Sequence, residues 1–460
     1  MNQDQAKPEA ATSGVAAASA AKPAAAALPA VASSAASSAA APRPPYQPPS
    51  TRLTQAGPAG VRFDFNQGAR IMLPPGTPRA VRLWDADTGS VLFRSTTEGV
   101  VVHSSKRFFV RFRLEIWDGA DASGPPSFTH DYDARDREVL IQFPVGTLGD
   151  SLAWFPYAAR FAEQHGCRLT CSLSGLIIPL LRDAYPHITF ITPEQLAEGK
   201  LRDSFYATYC LGLFFDDAKN ALQPTDFRLV GLHRTAGYIL GVDPSEMAPA
   251  ISFDDPGPPI DEPYVCIAVQ SSTQCKYWNN PEGWRQVVTA LKQAGFRVVC
   301  IDQKPVHGQG IVWNHMPHGV EDETGNRPLT ERARWLRHAA FFIGTSSGLA
   351  WLAWATGTPV VMISGFTHPT NEFTTPYRVI NWHACNSCWN DPKHRFDHRD
   401  FLWCPRHAGT PRQFECSRLI TAEQVLSTIA RVPAWQAMQR RKAAPAALAA
   451  PPAAALAAAQ

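Results

Sequence analysis

Three loops place small, hydroxyl-bearing or charged residues where chemistry is possible. Gly146-Thr147-Leu148-Gly149-Asp150-Ser151 lies between the apolar run 139–143 and a stretch of helical spacing, 151–164. A carboxylate at Asp150, held at the mouth of a cleft, can accept a proton from an attacking hydroxyl. The alternative is that Asp150 only caps the helix. Phe342-Ile343-Gly344-Thr345-Ser346-Ser347-Gly348-Leu349 has the same strand-to-helix setting. Free N–H groups and the positive helix end there suit a phosphate, with Thr345, Ser346 and Ser347 as hydroxyl donors and Gly344 and Gly348 flanking them. No Gly-Lys-Ser/Thr tail follows, so this is not a Walker loop, and it does not match GxGxxG. A simple cap is the alternative. In Gln270-Ser271-Ser272-Thr273-Gln274-Cys275-Lys276-Tyr277-Trp278, Lys276 could neutralise a leaving diphosphate and Trp278 could pack on a base. A solvated lysine and a packing tryptophan are the alternatives.

A fourth cluster reads as a metal site. Cys385-x-x-Cys388 is followed after 15 residues by Cys404 and after 11 more by Cys416. In a cytosolic chain this spacing suggests four thiolates on a metal rather than disulfides, with unliganded thiols as the alternative. Tetrahedral sulfur suits Zn or a single Fe, and spacing does not choose. Four sulfurs close the shell, so the ion would staple a loop-rich finger over 383–417. His383, His394, His398 and His407 lie near enough to substitute. Cys167, Cys171, Cys210, Cys266, Cys275 and Cys300 sit in or beside apolar stretches and read as buried free thiols.

The elements that must hold these loops follow from periodicity. Residues 59–136 alternate apolar and polar between turn signals such as Asp87-Thr88-Gly89, which predicts a small all-β domain. From 137 to 250 strands alternate with helices: strands at 168–173, 188–191 and 205–215, helices at 176–184, 194–199 and 226–240. The Pro-rich, acidic stretch 251–263 reads as a linker. A second alternating run, 264–432, includes the finger. The fold class is therefore α/β, with two Rossmann-like domains preceded by a β domain. Ligands in such sheets bind beyond the carboxyl ends of the strands, so the cleft between the halves is the expected site. Residues 1–58 and 433–460 are rich in Ala and Pro and read as disordered tails.

The bulk numbers exclude little but agree. Apolar residues are 45% and charged ones 18%, with a net charge of +3, so nothing in the charge balance argues for nucleic acid or a membrane surface. No 18-residue apolar run reads as a spanning helix. The first residues lack a basic segment followed by a compact Leu-rich core, and a cytoplasmic location is expected.

Several blocks together resemble the bacterial autotransporter heptosyltransferases, the strand-loop-strand O-heptosyltransferase relatives of the lipopolysaccharide heptosyltransferases. These are Phe143-Pro144-Val145-Gly146-Thr147-Leu148-Gly149-Asp150-Ser151-Leu152-Ala153-Trp154, Leu229-Val230-Gly231-Leu232-His233-Arg234-Thr235-Ala236, Cys275-Lys276-Tyr277-Trp278-Asn279, Gly344-Thr345-Ser346-Ser347-Gly348-Leu349 and the four-Cys finger. The resemblance runs over about 60–432. It implies a GT-B fold, transfer of heptose from ADP-heptose to Ser, and also Thr, hydroxyls of autotransporter adhesins, one iron in the finger, and a ring-shaped homo-oligomer, a dodecamer. It implies that Asp150 is the base, that Lys276 and 345–348 meet the donor phosphates, and that Asn371 touches the donor. The displacement would then invert the anomeric centre, with no catalytic divalent metal expected. A lipopolysaccharide-core heptosyltransferase would share the donor apparatus but not the β domain and finger. A non-catalytic nucleotide-sugar-binding scaffold is weighed against by the intact Asp150, Lys276 and 344–348.

Overall fold

The computed structural model describes residues 46–144 and 147–448. Residues 1–45 and 449–460 of the two expected tails, and Val145 and Gly146 of the first loop, lie outside the described residues. Among the described residues no helix is long and apolar enough to cross a membrane.

Val139-Leu140-Ile141 carries no polar alternation, as a strand covered on both faces requires. It lies in the strand Glu138–Gln142, which runs parallel to Arg168–Ser172 on one side and Ala207–Cys210 on the other, with Thr189–Ile191 beyond. The second half repeats the pattern. Its sheet runs Glu321–Asp322, Arg297–Cys300, Tyr264–Ala268, Phe342–Thr345, Val360–Ile363, Arg378–Val379, all parallel. In each half the first strand of the alternating run lies between the second and the fourth. Loops leaving the carboxyl ends of those strands diverge, and a crevice opens between them.

The region 59–136 does not form one separate β unit. Arg62–Asn66 pairs in parallel with Ala207–Cys210 and extends the first sheet, followed antiparallel by Arg70–Met72 and Val101–His103. Burial explains this. The Phe65 ring meets Tyr206 at 5.0 Å, and buried Asp64 is matched by an ion pair with Arg70 at 2.6 Å. The remaining strands, Ser90–Thr97, Arg79–Asp85, Phe112–Asp118 and Phe128–Asp131, make an antiparallel sheet of their own.

Described structure extends into both expected tails, back to residue 46 at one end and on to 448 at the other. Gln47 N–H donates to Gln142 Oε1 at 2.8 Å, Gln142 Nε2 donates back to Gln47 O at 2.9 Å, and Gln55–Ala56 pairs with Arg62–Asn66. At the other end Pro433–Leu448 is helical, with Trp435 stacked on Phe296 at 6.2 Å. A few anchoring side chains hold each segment, Tyr46, Ser50, Leu53 and Thr54 at one end and Trp435 and Met438 at the other, and composition averages them away. The expected helix 226–240 is two, Phe227–Val230 and Arg234–Leu240. Gly231 separates them at φ 94°, where an added Cβ would stand 2.1 Å from Thr370 O.

The halves share one apolar cluster that includes Trp154, Tyr157, Trp351 and Phe373. Within it the helices Leu148–His165 and Gly348–Ala355 meet near their N-terminal ends. A Cβ on Gly149 would lie 2.8 Å from Trp351 Cδ1, and one on Gly348 would lie 2.9 Å from Leu148 Cβ. Neither glycine has positive φ. They are there for the approach of one helix to the other, not for a turn.

Candidate active site

The two crevices face one another and form a single cavity of about 870 Å³. Its first-half wall comes from Pro144, 147–150 and 212–215, and its second-half wall from 270–272 and 346–349. Two helix N-termini therefore end at its floor, and their partial positive charges favour an anion.

Asp150 lines this cavity. It does not cap its helix. Thr147, at the N-cap, makes no side-chain cap bond, and its hydroxyl instead donates to Asp150 Oδ2 at 2.5 Å. The carboxyl is half-buried at the cleft mouth. Burial raises its pKa above the ordinary value, against the lowering influence of the Thr147 hydrogen bond and the Lys276 charge. A carboxylate made more basic this way suits proton abstraction.

On the facing wall, Ser346, Ser347 and Gly348 line the cavity. Ser347 precedes the helix Gly348–Ala355 without capping it, and among the described residues its buried hydroxyl has no partner. The Thr345 hydroxyl, fully buried beneath, has none either. Ser346 Oγ is already committed, donating to Glu372 Oε1 at 2.6 Å. Gly344 sits below the surface, where a Cβ would strike the Phe342 ring and approach Ala268 O at 3.2 Å. Lys276 reaches the cavity with one hydrogen bond, Nζ to Ser272 Oγ at 3.3 Å. Burial lowers its pKa, while Cys275 and Asp150 raise it.

Asn371 also lines the cavity, but its Oδ1 accepts from Trp389 Nε1 at 3.0 Å, which ties the finger to the cleft. Trp278 does not reach the site. It is 4% exposed, packs edge-on to Trp284 at 5.2 Å, and donates Nε1–H to Ile420 O at 2.9 Å. Its large apolar ring is better satisfied in the core beside the loop than in the cleft.

Two wall residues were invisible to motif reading. Tyr46, within the expected tail, lines the first-half side and donates its hydroxyl to Leu211 O at 2.6 Å. Nothing in the surrounding Ala/Pro composition marks it beyond its being aromatic. Asp302, just after Arg297–Cys300, accepts from the backbone N–H of Val269 at 2.7 Å and of Gln270 at 3.3 Å. Burial pushes it up to about 6 against those bonds. An acidic residue at the end of the second strand of a doubly wound half was the available signal.

Among the described residues the four finger cysteines are not gathered into the expected four-thiolate set. Burial, then Cys385, pushes the Cys388 thiol up to about 12. Cys416 is raised further by burial, followed by Cys388 and Cys404. Among the described residues the donor atoms within 4.8 Å of one another are those of Cys385, His407 and Glu415. Glu415 is already engaged: Arg412 donates to it at 2.8 and 2.7 Å, and Cys385 N–H at 3.0 Å. Neighbouring thiols add to the burial that raises Cys388 and Cys416, and a soft cation there would replace those protons. Of the other histidines, His398 lines the cleft instead and His394 pairs with Asp391 at 3.7 Å. Cys171, Cys266, Cys275 and Cys300 are buried free thiols, and Cys167 and Cys210 are partly so.

Residues 57–120 match the family model of the glycosyltransferase TibC N-terminal domain, and residues 231–400 match glycosyltransferase family 9 (heptosyltransferase). Autotransporter heptosyltransferase BAHTCr of Citrobacter rodentium is 54% identical, over 85% of this chain and 93% of its own. The chain belongs to the autotransporter heptosyltransferase family. It is thus a glycosyltransferase, with the two-domain α/β architecture and the N-terminal β region of that group. The solved structure of dodecameric, iron-containing heptosyltransferase TibC in complex with ADP-D-β-D-heptose matches with a TM-score of 0.80 and 51% identity, covering 86% of this chain and 99% of that one. That protein comes from enterotoxigenic Escherichia coli H10407. A further relative, at 49% identity over 84% of this chain and 89% of its own, is the inactive autotransporter heptosyltransferase BimC of Burkholderia thailandensis. One relative is thus inactive by name, and this chain's chemistry depends on its own residues.

Proposed function

We propose that this chain transfers heptose from ADP-heptose to Ser or Thr hydroxyls of an autotransporter adhesin in the cytoplasm, with inversion at the anomeric carbon. The observation that carries this reading is the placement of Asp150 and Lys276 on opposite walls of one cleft floored by two helix ends. The acceptor hydroxyl attacks the anomeric carbon from the first-half side, and Asp150 Oδ takes its proton. The bond to the ADP oxygen breaks on the opposite face. Lys276 Nζ and the N–H groups at Ser347–Gly348 meet the charge that develops on the leaving diphosphate, with the free Ser347 hydroxyl as a further donor. Asp302, at the end of the second strand, is placed for the donor's ribose hydroxyls. Asn371 acts behind the site, holding Trp389 against the cleft.

Cys385, Cys388, Cys404 and Cys416 would hold one iron, with zinc as the chemical alternative, and the ion would staple a loop-rich finger whose Trp389, Phe396 and Trp403 pack on Phe366. The iron and the dodecamer of the solved relative support an iron-bearing homo-oligomeric ring here as well. The test is binding set against transfer. Asp150→Asn should bind ADP-heptose as wild type and transfer to a passenger fragment about 10²–10⁴-fold more slowly, whereas Lys276→Met should weaken ADP binding itself. Normal transfer by both variants would overturn the assignment. Transfer to a lipopolysaccharide core in place of the passenger would replace the acceptor.

A further inference from the structure

Among the described residues Lys276 has no carboxylate in hydrogen-bond contact. Its ammonium lies instead over three aromatic rings, Phe396 at 5.2 Å, Phe366 at 5.6 Å and Trp389 at 5.7 Å. The rings brace one another. Phe366 and Trp389 are 5.6 Å apart, Phe366 and Phe396 5.4 Å, and Trp389 and Phe396 5.2 Å. Trp389 follows Cys388 directly, and Phe396 lies between Cys388 and Cys404. Two of the three rings are thus carried by the metal finger itself. The finger is pinned to the cleft by Trp389 N–H to Phe366 O at 3.2 Å and Trp389 Nε1–H to Asn371 Oδ1 at 3.0 Å, and Gln274 N–H reaches across to Phe401 O at 2.8 Å.

We infer that the finger is part of the donor site: its aromatic face holds the Lys276 ammonium in place while leaving its charge free for a diphosphate. A carboxylate partner would neutralise the lysine and compete with the phosphates. A ring quadrupole attracts the cation without taking up its hydrogen-bond donors. The ammonium donors stay available, and the cup restricts where they point. Phe366, Trp389 and Phe396 are positioning residues in this scheme. They act through Lys276 and do not touch the transferred sugar.

The inference rests on Lys276 as the diphosphate contact, and the test separates the two. ADP affinity is measured by calorimetry on the full chain, with iron content determined for each preparation, for Phe396→Leu, Lys276→Met and the double variant. Phe396→Leu should keep its iron and bind ADP about three- to tenfold more weakly. In the Lys276→Met background the same change should have no further effect, and Trp389→Phe should retain most of the affinity. Full additivity in the double variant, or unchanged ADP affinity in iron-replete Phe396→Leu, would overturn the inference. Wild-type ADP binding by Lys276→Met alone would instead remove the diphosphate assignment on which it stands. If Phe396→Leu loses iron, the same cycle with Phe366→Leu, which lies outside the four-cysteine run, decides the question.

Discussion

Replacing Gly149 by Ala probes how the two halves are registered. The new Cβ would stand 2.8 Å from Trp351 Cδ1, closer than carbon atoms normally approach. Trp351 cannot swing away, because Phe373 lies at 5.0 Å and Trp354 at 5.5 Å, both edge-on. The helices must therefore separate by roughly 1 Å. Overpacking of this kind costs about 1–3 kcal/mol. Replacing a helical glycine returns about 0.5–1 kcal/mol. A net loss of about 0–2.5 kcal/mol follows, which is a modest fall in Tm. The catalytic effect should be larger, since Asp150 is the next residue and a shift near 1 Å can cost about a hundredfold in rate. Thermal unfolding and single-turnover transfer, run side by side, should show a large kcat defect with a small stability defect. Wild-type values in both would mean that Gly149 is not required for the helix approach, and that the cleft tolerates a wider helix crossing.

Burial raises the pKa of Asp150, and only its ionised form can accept a proton, so the acid limb of kcat/KM should fall at a higher pH than an ordinary carboxyl would give. Asp150→Asn should lower transfer by about 10²–10⁴-fold. A raised folded pKa means that ionisation is disfavoured in the fold, so stability is lost as pH rises through it. The Asn variant should therefore melt higher than wild type at neutral pH and lose that advantage below the range where the unfolded carboxyl titrates. Cys388→Ser should lower iron content and solubility together, whereas Glu415→Gln should leave iron stoichiometry intact, as elemental analysis would reveal. Tyr46→Ala should raise KM for the acceptor by roughly two- to tenfold with ADP affinity unchanged, and Tyr46→Phe should recover most of it, because the ring forms the wall.

The doubly wound halves were legible because 139–141, 265–267 and 341–343 are apolar runs punctuated by loops and helices, a pattern with few structural solutions. The sequence also marked the loops at Asp150, Lys276 and 346–348, since such sheets bind ligands at strand carboxyl ends. Partner choice was not legible. Phe63 and Phe65 alternate as a half-buried strand does, and long-range contacts, the Phe65 ring on Tyr206 and Asn66 bonded to Phe205 and Thr208, assign them to the first sheet. Trp278 shows the same limit at the level of one side chain. A large ring beside a site loop is equally suited to a base or to the core, and the Ile420 carbonyl that accepts its N–H lies 142 positions away. The aromatic cup around Lys276 was hidden for that reason too, since its rings are separated from the lysine by 90 positions or more in the chain.

The central claim is protein heptosylation by this cleft. It is tested most directly by the intact mass of an autotransporter passenger fragment co-expressed with this protein in cells that make ADP-heptose. Mass increments of whole heptose residues, present with the wild type and absent with Asp150→Asn, are the predicted result. A soluble, iron-replete wild-type enzyme that leaves a folded passenger fragment at its unmodified mass would contradict it.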